Sequence, residues 1–183
     1  MREALAPHGG KLRLFFMDEA RFGQQGTLTT VWAERGSRPT AVKQTSYEWV
    51  YLFAAVEPTS GENVALLAPR VDTGIMNVFL SMLSEELGPR DHAVLIMDQA
   101  GWHKARALRV PENITILYLP PYSPELNPIE RLWAYLRSHY LANRAYRDYD
   151  HLLEASGEAY RSLTPEIIRT VCACDYTTRE LKR

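Results

Sequence analysis

Two short apolar runs, each stopped by an aspartate, constrain what this chain can fold into. Leu12–Met17 (LRLFFM) lies between Gly10 and Asp18, and Ala93–Met97 (AVLIM) stops at Asp98. Continuous apolar runs of this length read as buried strands, and such strands belong to sheets covered by helices. In open α/β sheets, ligands bind in the crevice beyond the carboxyl ends of the strands. Two acids delivered to one crevice raise each other's pKa unless a cation neutralises them, and oxygen ligands with open positions suit Mg²⁺ or Mn²⁺. Either aspartate alone is ordinarily a turn residue. Two such strand ends with a third acid nearby read as a site.

The remaining pattern fills in the sheet. Strands are expected near Thr27–Trp32, over Tyr47–Val56 and, after the turn Pro58-Thr59-Ser60-Gly61, over Glu62–Ala68. The polar, basic, turn-rich segment Ala33–Ser46 reads as a long loop or arm. From Asp72 the apolar positions Ile75, Met76, Phe79, Leu80, Leu83 and Leu87 recur at helical spacing, and Gly88-Pro89 ends the helix. After Asp98 a short basic helix over Gly101–Arg109, a strand over Ile114–Leu119 and a helix over Pro128–Leu141 are expected. Helices over Tyr149–Ser162 and Pro165–Cys172 close the order. Hairpin strands followed by βα units predict a single α/β domain over 1–183, a mixed sheet with helices on both faces.

Glu130 is the third acid. Asn127 suits the N-cap of its helix and Pro128 the first helical position, so Glu130 falls where a capping box places Glu or Gln. That reading explains every residue in the pattern. The helical wheel adds a second one, because Glu130 lies at the edge of the stripe Ile129, Leu132, Trp133, Leu136 and Tyr140, where a carboxylate can face a cleft.

Composition narrows the classes. No run of 18 apolar residues spans a membrane, and Met1–Lys11 lacks the apolar core of a signal peptide, so an intracellular, cytoplasmic protein is expected. Cys172 and Cys174 are too few for a disulfide framework or a four-ligand zinc site. Net charge is −1, yet Gly101–Arg147 holds seven Lys and Arg against three Glu. Within it, Lys104 and Arg106 can touch phosphates or merely solvate a helix face. His103 can contact a phosphate, orient Asp98, or sit at the surface. Glu19 points to the opposite face of a continuing strand from Asp18 and is left out of the metal set. Trp133 reads as core.

The motifs MDEARFG (Met17–Gly23), MDQAGWH (Met97–His103) and LPPYSPELNPIERLW (Leu119–Trp133) resemble the catalytic region of mariner-superfamily DDE transposases of bacterial insertion-sequence type. The resemblance runs from about Leu12 to Ala142, and its third motif is the most specific. It implies an RNase H-like fold, with Asp18, Asp98 and Glu130 as catalytic, metal-binding residues. It also implies two Mg²⁺ (or Mn²⁺) ions per active site, and DNA strand cleavage and transfer on element ends and target DNA. A homodimer assembled on DNA follows from the same likeness. In relatives the loop that holds Arg35 and Arg38 reaches toward a partner subunit or DNA. Gln99 stands where many members have Asn, and Glu125 where Asp is common. No room for helix-turn-helix modules precedes Leu12, so the catalytic half alone is expected. A stand-alone RNase H-like nuclease acting on RNA–DNA hybrids is a second reading. A catalytically silent DNA-binding or dimerisation remnant is a third.

Overall fold

The computed structural model describes residues 10–24, 32–37 and 47–174. Five strands form one sheet: β1 (Leu12–Gly23), β2 (Trp49–Val56), β3 (Asn63–Ala68), β4 (His92–Met97) and β5 (Ile114–Tyr118). Their spatial order is β3-β2-β1-β4-β5. The hairpin pairs β1–β2 and β2–β3 are antiparallel, whereas β1–β4 and β4–β5 are parallel. The mixed sheet expected from the order of elements is therefore present, with β1 at its centre.

Helices cover both faces. The helix α1 (Thr73–Glu86) is capped by Asp72, whose side chain accepts the Ile75 N–H. Its Met76, Phe79, Leu80 and Leu83 pack on Phe15 and Met17 of β1 and on Leu95 and Met97 of β4. The opposite face takes α2 (Ile129–Leu136), a following π turn (Arg137–Leu141), α3 (Tyr149–Arg161) and α4 (Pro165–Val171). Ile129, Leu132, Trp133 and Leu136 pack there on Ala20 and Phe22 of β1 and on Leu52 and Ala54 of β2. Strand alternation decides which residue meets which layer. Odd positions of β1 face α1, and even positions face α2–α4.

Several boundaries differ from the sequence reading. β1 does not stop at Asp18 but continues to Gly23, because β2 pairs with it antiparallel as far as Gly23↔Trp49. The expected strand Thr27–Trp32 lies outside the described residues except for Trp32, which is exposed and in no strand. The basic helix expected over Gly101–Arg109 is one 3₁₀ turn, Gly101–His103, followed by irregular backbone. The His103 carbonyl, which a continuing helix would use internally, accepts the Tyr118 hydroxyl at 2.6 Å. Cys172 is a buried free thiol, and burial pushes it up to about 12. Among the described residues no helix is long and apolar enough to cross a membrane.

Candidate active site

The cleft is made by two strands parting. β1 and β4 pair in parallel from Leu12↔His92 to Phe16↔Ile96 and then separate. Beyond that point β1 follows β2, and β4 follows β5 through Met97↔Tyr118. Asp18 and Asp98 each lie two residues past the last shared pair. Strand divergence, rather than strand termination, thus opens the crevice at which both acids sit.

The third wall is the proline-rich loop and the start of α2. A cleft of about 410 Å³ is lined by Asp18, Asp98 and Glu130, with Gln99, Asn127 and Tyr122 among the other side chains. The three acids singled out in the sequence are therefore brought together. Glu125 lies in the 3₁₀ turn Pro124–Leu126 and does not line the cleft.

Asn127 sets the position of Glu130. Its Oδ1 accepts the Ile129 N–H at 3.3 Å, and its Nδ2 donates to the Met17 carbonyl at 3.0 Å. The same amide accepts the first N–H of α2 and ties the helix to β1 beside Asp18. The capping box is not formed in full, because the Asn127 N–H donates to the Pro124 carbonyl at 2.9 Å. Glu130 is exposed at the cleft with no capping duty.

Asp18 is held differently. Trp133 is a core residue, as expected, but its Nε1–H also donates to Asp18 Oδ2 at 2.9 Å. Burial pushes the Asp18 carboxyl up to about 7, aided by the Glu130 and Glu19 charges and opposed by the Trp133 hydrogen bond. Asp98 is more open, with 57% of its side chain exposed. Its Oδ1 takes the Ala100 N–H at 2.9 Å and faces His103 Nδ1 at 2.8 Å. Among the described residues no three acid, thiol or imidazole side chains are gathered tightly enough to enclose an ion. Like charges sharing a cleft raise one another's pKa, and Asp18 shows that effect.

Of the roles open to His103, the structure keeps the contact with Asp98. His103 is 0% exposed, so it presents nothing to a phosphate, and a DNA-contacting role gives way to contacts inside the protein. Nε2 meets Glu19 Oε1 at 2.8 Å while Nδ1 meets Asp98. Ionised carboxylates only accept, so both ring nitrogens donate. Burial would lower the His103 pKa, but Glu19 and then Asp98 reverse the sign and raise it. Glu19 also accepts Trp102 Nε1–H at 3.1 Å. The sequence reading missed Glu19, Trp102 and the second role of Trp133. An acid directly after Phe15 and Met17 on one strand face was the available signal, since a buried carboxylate needs a partner.

The basic candidates are scattered. Lys104 Nζ donates to Gln99 Oε1, which places it at the rim of the cleft, and lies 5.4 Å from the Tyr118 ring centroid. Arg35 and Arg106 are exposed on turns away from any described contact with the three acids. Arg38 lies outside the described residues.

Residues 13–153 match the family described as DDE superfamily endonuclease. The chain belongs to that family. A DDE endonuclease domain accounts for most of its length. Over 118 residues the domain is 42% identical to the uncharacterised protein y4pE/y4sA of Sinorhizobium fredii, covering 64% of this chain and 87% of that protein. The catalytic domain of Mos1 mariner transposase superposes with TM-score 0.61 at 18% identity, over 87% of this chain and 75% of that one. The Mos1 paired-end complex with Mg gives TM-score 0.67 at 19% identity, over 87% of this chain and 51% of that one. The fold of this DDE endonuclease domain is thus RNase H-like. The Mos1 strand transfer complex is matched over 87% of this chain, which spans 50% of the Mos1 chain in it.

Proposed function

We propose that this chain is the catalytic domain of a transposase, cutting and rejoining DNA with Asp18, Asp98 and Glu130 as its metal-binding carboxylates. The observation that carries the reading is the convergence of these three acids from β1, β4 and α2 on one cleft. An all-oxygen, multiply anionic donor set fits a hard divalent cation such as Mg²⁺ or Mn²⁺. The pressure on Asp18 to hold its proton points the same way, since a cation relieves it. Asp18, Asp98 and Glu130 would hold such ions, and two of them is the proposed number. When bound, such ions activate the attacking oxygen and stabilise the leaving one in an in-line displacement at phosphorus.

The protein's own part is positioning. Trp133 fixes Asp18 from the core, Asn127 sets the depth of Glu130, and the proline-rich loop walls one side of the cleft. Lys104, bonded to Gln99 at the rim, is the proposed contact to a backbone phosphate. DNA is the proposed substrate, as in the Mos1 complexes solved with transposon ends, and a homodimer assembled on that DNA is the proposed working form.

Nicking of supercoiled plasmid and joining of a 3′-OH oligonucleotide, both in Mn²⁺, test the reading. Asp98→Asn and Glu130→Gln are expected to fold normally and fall to background in both reactions. Full activity in Glu130→Gln would sink the assignment. Strong preference for an RNA–DNA hybrid would favour the RNase H-like nuclease instead.

A further inference from the structure

Behind the cleft lies a buried charged cluster that metal binding by Asp18, Asp98 and Glu130 leaves unexplained. We propose that Glu19 and His103 are positioning residues that fix which oxygen of Asp98 faces the cleft. The inference rests on the reading of that cleft as a metal centre.

Asp98 stands beyond the last residue of β4 on irregular backbone, with most of its side chain exposed. A carboxylate placed so loosely samples several rotamers and makes a poor ligand until it is held. Two N–H groups hold it here, and both converge on one atom, Oδ1: the Ala100 amide at 2.9 Å and His103 Nδ1 at 2.8 Å. Among the described residues no donor meets Oδ2, and Asp98 lines the cleft.

His103 is itself fixed on three sides. Glu19 Oε1 meets Nε2 at 2.8 Å, the Tyr118 hydroxyl holds the backbone carbonyl, and Trp102 lies edge-on with ring centroids 5.8 Å apart. Glu19 is anchored in turn by the Trp102 Nε1–H. Strand alternation makes the arrangement possible, because Asp18 enters the cleft on the α2 face and Glu19 turns to the α1 face. One dipeptide of β1 thereby supplies a carboxylate to the cleft and braces a second from behind.

Packing gives no reason for an acid at Glu19. Its side chain is 6% exposed, on a sheet face where Phe15, Met17, Phe53 and Met97 form an apolar core. An apolar side chain would serve packing as well, since replacing a buried ion pair by hydrophobic groups is often neutral or stabilising. A chain of hydrogen bonds that ends on one oxygen of a metal-binding carboxylate is what orients such a ligand in known metal sites.

The test is Mn²⁺ binding to the metal-free protein, read as free Mn²⁺ by electron paramagnetic resonance, with plasmid nicking measured alongside. His103→Gln places its amide where Nε2 stood and abandons Asp98; it is expected to weaken Mn²⁺ binding roughly 10–100-fold. His103→Asn places its amide where Nδ1 stood and is expected to recover most of that loss. Glu19→Gln keeps an oxygen for Nε2 and is expected to fall between the two, with the KM for DNA unchanged and kcat lowered. Melting temperatures identify variants that do not fold; if both His103 variants fail, Glu19→Gln decides. Wild-type Mn²⁺ affinity in folded His103→Gln or Glu19→Gln overturns the proposal, and so does equal impairment of folded His103→Gln and His103→Asn. Asp98→Asn separates the premise: unchanged Mn²⁺ binding there means the cleft is not the metal centre at all.

Discussion

Asp18 is expected to destabilise the metal-free protein at neutral and higher pH, and Asp18→Asn to relieve it. Its carboxyl stands at about 7 in the fold against 3.8 ordinarily. The folded state therefore holds the proton more tightly than the unfolded chain does. Stability from this group is complete below pH 3.8 and is lost as pH rises through about 7. A shift of about three pKa units corresponds to about 4 kcal/mol at most, a ceiling because local rearrangement relieves part of it. The substitution to Asn keeps an oxygen for the Trp133 N–H and carries no charge at any pH. Urea unfolding in EDTA should show the variant and the wild type nearly equal at pH 4. At pH 8 the variant should lead by up to about 4 kcal/mol, roughly 10 °C in Tm for a chain of this size. Millimolar Mn²⁺ should narrow the gap by stabilising only the wild type. A variant less stable than the wild type at pH 8, or a gap that does not change with pH, would refute the reasoning.

Two further substitutions probe how the cleft is held. Asn127→Ala removes the acceptor of the Ile129 N–H at the start of α2, about 1 kcal/mol, and strands the buried Met17 carbonyl, about 1–3 kcal/mol, so about 2–4 kcal/mol should be lost in denaturant unfolding. Plasmid nicking should fall with it, because α2 loses its tie to β1; a loss under about 0.5 kcal/mol would show that the tie is dispensable. Tyr122 is fully exposed at the cleft with φ 58°, a conformation that costs a non-glycine residue about 1–2 kcal/mol. Tyr122→Gly removes that strain but adds unfolded-state entropy of about 0.5–1 kcal/mol, so Tm should move by no more than roughly 6 °C in calorimetry. A large destabilisation would mean that the ring packs against something on the fold.

The fold and the cleft were legible in the sequence to different depths. The runs before Asp18 and Asp98 marked the parallel strands because burial on both faces removes alternation, and the Asp72 cap marked α1 because its chemistry is local. Glu130 was legible as a helix-start acid. Whether it capped α2 or faced the cleft depended on where the Asn127 N–H went, and that bond closes the 3₁₀ turn Pro124–Leu126. The end of β1 was misread because an aspartate looks like a stop, although the alternation of Glu19, Ala20, Arg21 and Phe22 already continued the strand. The basic helix after Asp98 failed for a tertiary reason, since Tyr118 on β5 captures the carbonyl that the helix needed. The Glu19–His103 contact joins residues 84 apart in sequence, and no local pattern encodes it.

The parting of β1 from β4 after Phe16↔Ile96 also limits how such a chain can vary. In β1, neighbouring acids are sorted to opposite layers by nothing more than odd and even position. Adding or losing one residue between the last shared pair and Asp18 would exchange their destinations, turning Asp18 inward and Glu19 toward the cleft. Length changes are therefore expected to accumulate in the connections between strands, while this short stretch of β1 keeps its parity.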